Sequence, residues 1–145
     1  MAGSSMTFTY EDGQDGLGRP GRIQRVIASW TSDDAAGTAS GSCRKVCGRL
    51  IKAMNAPGAA GVQPTDNYDI AVTDSDGVNV LSACLPTLDN ISNAAKTERY
   101  FFVKNTDAAP LSTSTAPLVS SALTIAVAAA GNSKQGAITL YIESL

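Results

Sequence analysis

Cysteines are the side chains of this sequence with the most reactive chemistry, and they stand at positions 43, 47 and 84. The chain contains no histidine, which excludes catalytic triads that use imidazole as a base and the ordinary zinc sites built from histidine and cysteine. Three thiols cannot complete a framework of intrachain disulfides. We therefore expect Cys43, Cys47 and Cys84 to be reduced, to pack as small apolar residues and to bind no metal.

Glycine-rich and acidic segments match the sequence patterns of ligand-binding loops but lack the other features that such loops need. Gly16–Gly21 matches the GxGxxG pattern of dinucleotide-binding folds, but a predicted strand follows it where a helix is needed, and Pro20 has no amide hydrogen to offer a phosphate. Asp12–Gly16 and Asp74–Gly77 resemble parts of calcium loops, but neither supplies the oxygen ligands of an EF-hand. The sequence predicts no cofactor-binding and no metal-binding residues.

Hydroxyl and carboxyl groups are numerous but show no catalytic arrangement. A serine nucleophile needs a neighbouring base, and only lysine is available; Ser133 and Lys134 are neighbours in a turn and not a preorganised pair. The 13 acidic residues are spread along the chain without the paired carboxylates of glycoside hydrolysis. We predict that the protein is not an enzyme and has no catalytic residues.

Basic residues are concentrated in one stretch of the chain. Seven of the 11 lie between positions 19 and 52, where only two acidic residues oppose them, whereas the remaining four are accompanied by 11 acidic residues. Two interpretations stay open, a solvated strand face and a patch that binds an acidic protein surface. Nucleic acid is disfavoured because Trp30 is the one aromatic residue in the stretch, which leaves little for base stacking. The candidate protein-binding residues are Arg19, Arg22, Arg25, Arg44, Lys45, Arg49 and Lys52.

Short β-strands are the elements that must position these side chains. Runs of β-branched, aromatic or alternating apolar residues predict the strands. They are Thr7–Tyr10, Arg22–Thr31, Asn67–Asp74, Val78–Leu81, Arg99–Lys104, Leu118–Ala129 and Ala137–Glu143.

Turn residues between these strands predict two antiparallel hairpins. Gly77 supplies the positive φ of a turn within Asn67–Leu81, and the loop at 130–136 divides Leu118–Glu143. Alternation predicts that their inner faces carry Tyr68, Ile70, Val72, Leu123, Ile125, Val127, Ile138, Leu140 and Ile142.

Ser42–Met54 fits two periodicities. Its apolar residues recur at the spacing of an amphipathic helix that Ser42 could cap. Gly48 would cost that helix about 1 kcal/mol relative to alanine, and the surrounding short strands favour a strand. The resemblance described below decides for the strand.

Length and composition predict one domain of 145 residues, with a leading strand and glycine-rich arm at 1–21 and a long surface connection at 107–121. Seven or eight strands separated by regular turns predict an all-β fold, a two-sheet antiparallel sandwich of the jelly-roll kind. The formal net charge of −2 gives no general attraction to nucleic acid or anionic membrane, and no apolar run approaches the about 20 residues of a membrane helix. We expect neither nucleic acid nor membrane as a partner.

Two segments resemble small structural proteins of tailed bacteriophages. These are Pro64–Leu81, with the letters PTDNYDIAVTDSDGVNVL, and the run from Leu123 through the loop Gly131–Gly136 to Ile142. Together with their spacing they cover about half of the chain, and Cys43–Met54 corresponds to a β-strand in such proteins. In these segments the chain resembles the capsid cement (decoration) proteins of short-tailed phages of the Bordetella type.

The resemblance implies a jelly roll that binds the outside of a phage capsid and cements neighbouring copies of the major capsid protein. It implies a homo-oligomer, with a dimer favoured over a trimer, that resides in the host cytoplasm before assembly and on the outer surface of the virion afterwards. Alternatives are another virion component, such as a tail, fibre or head–tail protein, and a module that binds carbohydrate or a host receptor.

Overall fold

The computed structural model describes residues 3–14, 20–83, 91–93, 96–100 and 118–144. Arg19, Cys84 and most of the predicted connection at 107–121 lie outside these ranges. Within them the chain forms nine strands and one short 3-10 helix. In chain order these are β1 (Ser5–Gln14), β2 (Pro20–Thr31), β3 (Ala39–Ser42), β4 (Gly48–Pro57), β5 (Asp69–Thr73), the 3-10 helix (Val80–Ala83), β6 (Thr97–Tyr100), β7 (Leu118–Val119), β8 (Thr124–Ala128) and β9 (Gln135–Glu143).

The described strands form two antiparallel sheets. The large sheet has the order β1-β2-β9-β4-β6, with the two-residue β7 also pairing with β4, and the small sheet has the order β3-β8-β5. Consecutive strands from β2 to β6 alternate between the two sheets, and so do consecutive strands from β7 to β9. This alternation is the connectivity of a jelly roll, which confirms the predicted two-sheet sandwich.

Neither predicted hairpin forms. β8 pairs with β3 and β5, and β9 pairs with β2 and β4, so Leu118–Glu143 crosses from one sheet to the other. In Asn67–Leu81 a single bridge joins Thr73 to Asn79, and the predicted strand Val78–Leu81 is replaced by the start of the 3-10 helix. A turn sequence fixes a change of chain direction, but it does not determine whether the next strand returns to the same sheet.

The core lies between the sheets and contains the predicted inner faces. Leu140 is fully buried on β9, where its neighbours in register are Val26 on β2 and Ala53 on β4. All of the predicted inner-face residues are buried, with relative exposures of 2% or less. Period-two alternation therefore identified the core side of these strands correctly.

A buried polar contact joins the two sides of the core. The amide nitrogen Nδ2 of Asn55, on β4, donates a hydrogen bond of 2.5 Å to the hydroxyl of Tyr68, just before β5. The ring centroid of Tyr68 lies 6.0 Å from that of Trp30 on β2. Burial raises the pKa of the Tyr68 hydroxyl, although the contact with Asn55 acts in the opposite direction. Tyr68 is therefore fixed as a core residue with a polar anchor.

The strand interpretation of Ser42–Met54 is confirmed from Gly48 onward. Gly48 has a φ of 152° at the start of β4 and lies against the backbone of Glu143 on β9. Leu50 and Ala53 both point into the core, although they are three positions apart. They share this face because a bulge between Leu50 and Lys52 adds one residue to β4. The helix-like periodicity arises from that bulge and from the loop that precedes the strand.

The cysteines divide into a buried and an exposed thiol. Cys43 is 4% exposed, and the Leu123 amide donates to its sulfur at 3.4 Å. Cys47 is exposed in the loop before β4, so the prediction that it packs as an apolar residue is wrong. Both thiols are free.

We expect thiol labelling of the folded protein to distinguish the two. Burial raises the pKa of Cys43, so at neutral pH less of it is present as the reactive thiolate, and its labelling should be at least about 100-fold slower than that of Cys47. Mass spectrometry of a Cys84→Ser variant at several pH values measures both rates. Cys47→Ser should abolish the fast phase; a fast phase that survives this change would contradict the assignment.

Candidate interaction surface

The face of the large sheet that points away from the core gathers most of the described candidate residues. We call it the outer face. It is built by alternate residues of β1, β2, β9 and β4, which antiparallel pairing places in rows across the strands. Along β2 the outward residues Ile23, Arg25 and Ser29 are exposed, while Val26 and Ala28 between them are buried. Most members of these rows are exposed or half-buried, whereas Thr139 on β9 is only 6% exposed.

One of these rows combines charges and an aromatic ring, and we call it the charged row. It runs Glu11, Arg25, Tyr141 and Lys52 on β1, β2, β9 and β4 in that order. Arg25 forms an ion pair with Glu11, and the ammonium of Lys52 lies 4.9 Å from the ring centroid of Tyr141. A hydrogen bond with Tyr141 and the charge of Glu11 raise the pKa of Arg25 above its ordinary value. The charged row is thus a connected set of ionic and cation–π contacts.

The rows on either side are more apolar. On one side Glu143 on β9 and Arg49 on β4 lie between Ile23 on β2 and Leu118 on β7. Ile23 is 42% exposed and Leu118 is 66% exposed. On the other side the row contains Thr9, Ile27, Thr139 and Met54, and Met54 pairs in turn with Glu98 on β6. Aliphatic side chains therefore lie on both sides of the charged row.

The predicted basic stretch does not form one continuous patch. Arg25, Arg49 and Lys52 share the outer face, although β9 lies between the two strands that carry them and contributes Glu143. Arg44 and Lys45 are exposed in the loop after β3. Only the backbone of Arg22 is described, within β2, and Arg19 lies outside the described residues.

Arg44 lies away from the outer face, against Tyr10 on β1. Its guanidinium lies 4.0 Å from the ring centroid of Tyr10, and its backbone amide donates to the Tyr10 hydroxyl at 2.7 Å. The same side of β1 packs on β3, where a side chain at Gly41 would meet Met6 and Phe8 at 3.1–3.2 Å. Arg44 and Lys45 therefore form a separate loop surface, which is distinct from the outer face.

Small polar residues occupy the far end of the outer face. They line a depression of about 430 Å³ that includes Ser29, Ala56, Gln135 and Ala137. Its lining offers hydroxyl and amide groups that can form hydrogen bonds, together with the indole of Trp30 and small aliphatic groups, and it includes no ionisable side chain. This end of the outer face is therefore an uncharged depression.

The loops beyond this end are fastened by internal hydrogen bonds. Ser32 donates to the carbonyl of Gly131 at 2.6 Å and accepts from the amide of Lys134 at 2.8 Å. Asp33 accepts from the amides of Ala36 and Gly37 at 2.6 and 2.7 Å. Partial burial acts to raise the pKa of the Asp33 carboxyl, but these backbone hydrogen bonds outweigh it and lower the pKa. Asp33 is therefore a loop-ordering residue.

The acidic members of the outer face were missed by sequence reasoning. Glu11 and Glu143 lie outside the basic stretch in the chain, and only the pairing of β1 and β9 with their neighbours brings them beside Arg25 and Arg49. Tyr141 is placed between Arg25 and Lys52 in the same way. The alternation of β9 was a usable signal that Tyr141 and Glu143 point outward, but it did not indicate which strands lie beside them.

Searches for a metal site and a membrane span gave no candidate in the described part of the chain. No group of three or more cysteine, aspartate or glutamate side chains there could hold a metal ion. No helix there is long and apolar enough to cross a membrane.

Comparisons of the chain with protein-family models, with curated proteins and with solved structures found no match.

Proposed function

We propose that the protein is a structural component of a phage virion that binds the outside of the capsid and cements neighbouring major capsid subunits. The observation that carries the proposal is the position of the two segments that resemble cement proteins. Tyr68–Thr73 and Leu123–Ile142 supply buried residues of both sheets, and the chain has the jelly-roll connectivity that the resemblance implies.

The polar surfaces suit attachment through many weak contacts. Exposed ion pairs are worth about 0.2–1 kcal/mol each, so no single arginine is expected to hold a capsid subunit. Repetition of the same contacts by every copy on a shell, and by both members of an oligomer, raises the overall affinity through avidity. A cement protein of this kind passes from the host cytoplasm to the outer surface of the virion.

Copy number is the measurement that tests this function. A cement protein should be present in a small integer ratio to the major capsid protein, and images of intact particles should show it on the outside of the shell. A tail, fibre or head–tail protein would be present in tens of copies at most, which would refute the cement role in favour of that alternative. Binding to a glycan array by the isolated protein, with no density on capsids, would favour the carbohydrate-binding alternative.

We expect paired charge reversals to identify the surface that meets the capsid. Arg25→Glu with Arg49→Glu changes the outer face, and Arg44→Glu with Lys45→Glu changes the loop surface. The pair at the contact should weaken decoration of particles at least about tenfold at low salt, because two attractive contacts become repulsive. Quantitative gels of sedimented particles measure decoration.

A matched control reverses Lys96 and Lys134, which lie outside the basic stretch, and should leave decoration unchanged. Thermal unfolding checks that each variant folds. If both test pairs decorate particles as well as the control pair does, the basic residues are solvated and attachment is apolar.

A further inference from the structure

One edge of β1 has no strand bonded to it in the described part of the chain, since β1 pairs with β2 alone. The amide of Ser32 donates to the carbonyl of Lys134 at 2.8 Å and continues the ladder of β2 with β9. Even-numbered residues of β2 therefore bond to β9, and its odd-numbered residues bond to the odd-numbered residues of β1. The backbone amides and carbonyls of Met6, Phe8 and Tyr10 consequently point away from β2, and we call these groups the free edge.

The free edge lacks the features that keep strand edges from binding other chains, which are short length, charged side chains, proline and bulges. The other described edge strands, β3, β5 and β6, have four, five and four residues, and isolated bridges lie at both ends of β5. β1 has ten residues, and Ser5–Tyr10 contains neither a charged residue nor a proline. Its one irregularity in pairing comes after Asp12, beyond the free edge.

From this we infer that the free edge binds an extended segment of another polypeptide, which adds a strand to the large sheet beside β1. An extended backbone repeats its donors and acceptors every second residue, about 6.8 Å apart, as the free edge does. The three residues of the free edge offer about six hydrogen bonds to such a segment, because each supplies one donor and one acceptor. The inference rests on the proposed function, in which the segment belongs to the major capsid protein.

Charges at one end of the free edge indicate what the segment contains. The guanidinium of Arg44 lies 4.0 Å from the ring centroid of Tyr10, and Arg44 and Lys45 are both exposed. Glu11, which follows Tyr10, is already paired with Arg25. We therefore expect an acidic residue of the added strand near Tyr10 and uncharged residues along the rest of the edge. Of the two basic surfaces, the loop surface of Arg44 and Lys45 is then the one that meets the capsid.

The side chains of β1 hold the free edge in an extended conformation. Met6, Phe8 and Tyr10 are partly buried and pack against the core. Gly41 on β3 lies so close that a β-carbon there would meet Met6 and Phe8 at 3.1–3.2 Å. An edge that is already extended and anchored loses little conformational freedom on binding, so most of the ordering cost falls on the added segment.

Hydrogen exchange at single amides tests for the added strand. In the isolated chain the amides of Met6, Phe8 and Tyr10 should exchange fast, whereas those of Thr7 and Thr9 bond to β2 and should exchange slowly. On decorated particles the exchange of the first three should slow at least about tenfold, and that of the other two should change less than about threefold. Mass spectrometry with fragmentation to single residues measures both sets. Protection that does not alternate along β1 would overturn the inference.

A proline on the free edge tests the same contact by mutation. Phe8→Pro removes an amide that is not bonded to β2, and edge strands accept proline where the amide faces away from the sheet, so the variant should fold. Its decoration of particles should fall at least about tenfold, because the proline ring has no donor and obstructs the added strand. Phe8→Ala is the matched control, since it also removes the phenyl ring but keeps the amide, and it should decorate as the wild type does. Equal decoration by the two folded variants would contradict the added strand.

The added strand and the capsid role fail in different ways. Decorated particles without alternating protection of the free edge would overturn the added strand and leave the capsid role intact. A chain that decorates no particles would refute the capsid role, and the added strand with it. Protection of the free edge that rises with the concentration of the isolated chain would assign the edge to a second copy and would also overturn the inference. Exchange in the wild-type chain requires no variant, so these outcomes do not depend on whether Phe8→Pro folds.

Discussion

Truncation of Leu140 to alanine is expected to lower the free energy of unfolding by about 2–5 kcal/mol, the range for a buried aliphatic side chain. Leu140 is fully buried on β9, the central strand between β2 and β4. The change removes apolar contacts and leaves a cavity that rigid strands on both sides cannot fill. Because small domains are stable by only about 5–15 kcal/mol, the variant should unfold at a markedly lower urea concentration.

Leu118 provides a control with the same chemical change. It is 66% exposed on β7, so Leu118→Ala should alter the unfolding free energy by about 0.5 kcal/mol or less. Urea unfolding can be followed by the fluorescence of Trp30, which is 2% exposed and the one tryptophan of the chain. Equal destabilisation by the two substitutions would show that β9 is not the centre of the core.

The sequence contained enough information for most of the strands and for the side of each that faces the core, although β3 was not predicted and Val78–Leu81 is not a strand. Alternation at Ile70 and Val72, and at Ile138 and Leu140, predicted burial correctly because side-chain direction in a strand has a period of two whatever its neighbour is. Which strands pair with each other could not be predicted in this way. The loop between β8 and β9 has the sequence of a hairpin turn, yet the two strands lie in different sheets. The sequence does not distinguish the two cases because a corner between sheets and a hairpin turn use the same glycine and asparagine residues.

The candidate surface was predictable in part for the same reason. Composition identified Arg25, Arg49 and Lys52 as members of a basic stretch, and alternation on β2 and β4 gives the outward direction of Arg25 and Arg49. Strict alternation would place Lys52 on the core side with Leu50, and it points outward because of the bulge between Leu50 and Lys52. Their actual neighbours depend on contacts between residues more than 80 positions apart, such as Arg25 with Tyr141 and Arg49 with Glu143. Local patterns do not encode such pairings, so a stretch that is strongly basic in sequence became a mixed surface in the fold.

Gly48 is the position where local sequence and long-range packing meet. Its φ of 152° is a conformation that side chains disfavour, and a β-carbon there would overlap the carbonyl oxygen of Glu143 and lie 2.9 Å from a methyl carbon of Ile142. Gly48 therefore lets β4 begin directly against β9. The bulge of β4 follows at once, between Leu50 and Lys52, so a shift at Gly48 would also disturb the position of Lys52 on the outer face.

Gly48→Ala is accordingly expected to lower the free energy of unfolding by about 2–6 kcal/mol, with about 1–3 kcal/mol from backbone strain and about 1–3 kcal/mol from overpacking. Gly77→Ala separates these contributions, because Gly77 also has a positive φ, of 82°, but nothing lies within 4 Å of the position of its β-carbon. That control should cost only the strain of a left-handed residue, about 1–2 kcal/mol. Urea unfolding of both variants gives the difference directly. If the two alanines cost the same, the close approach of β4 to Glu143 contributes nothing, and the start of β4 is determined by the residues that follow it.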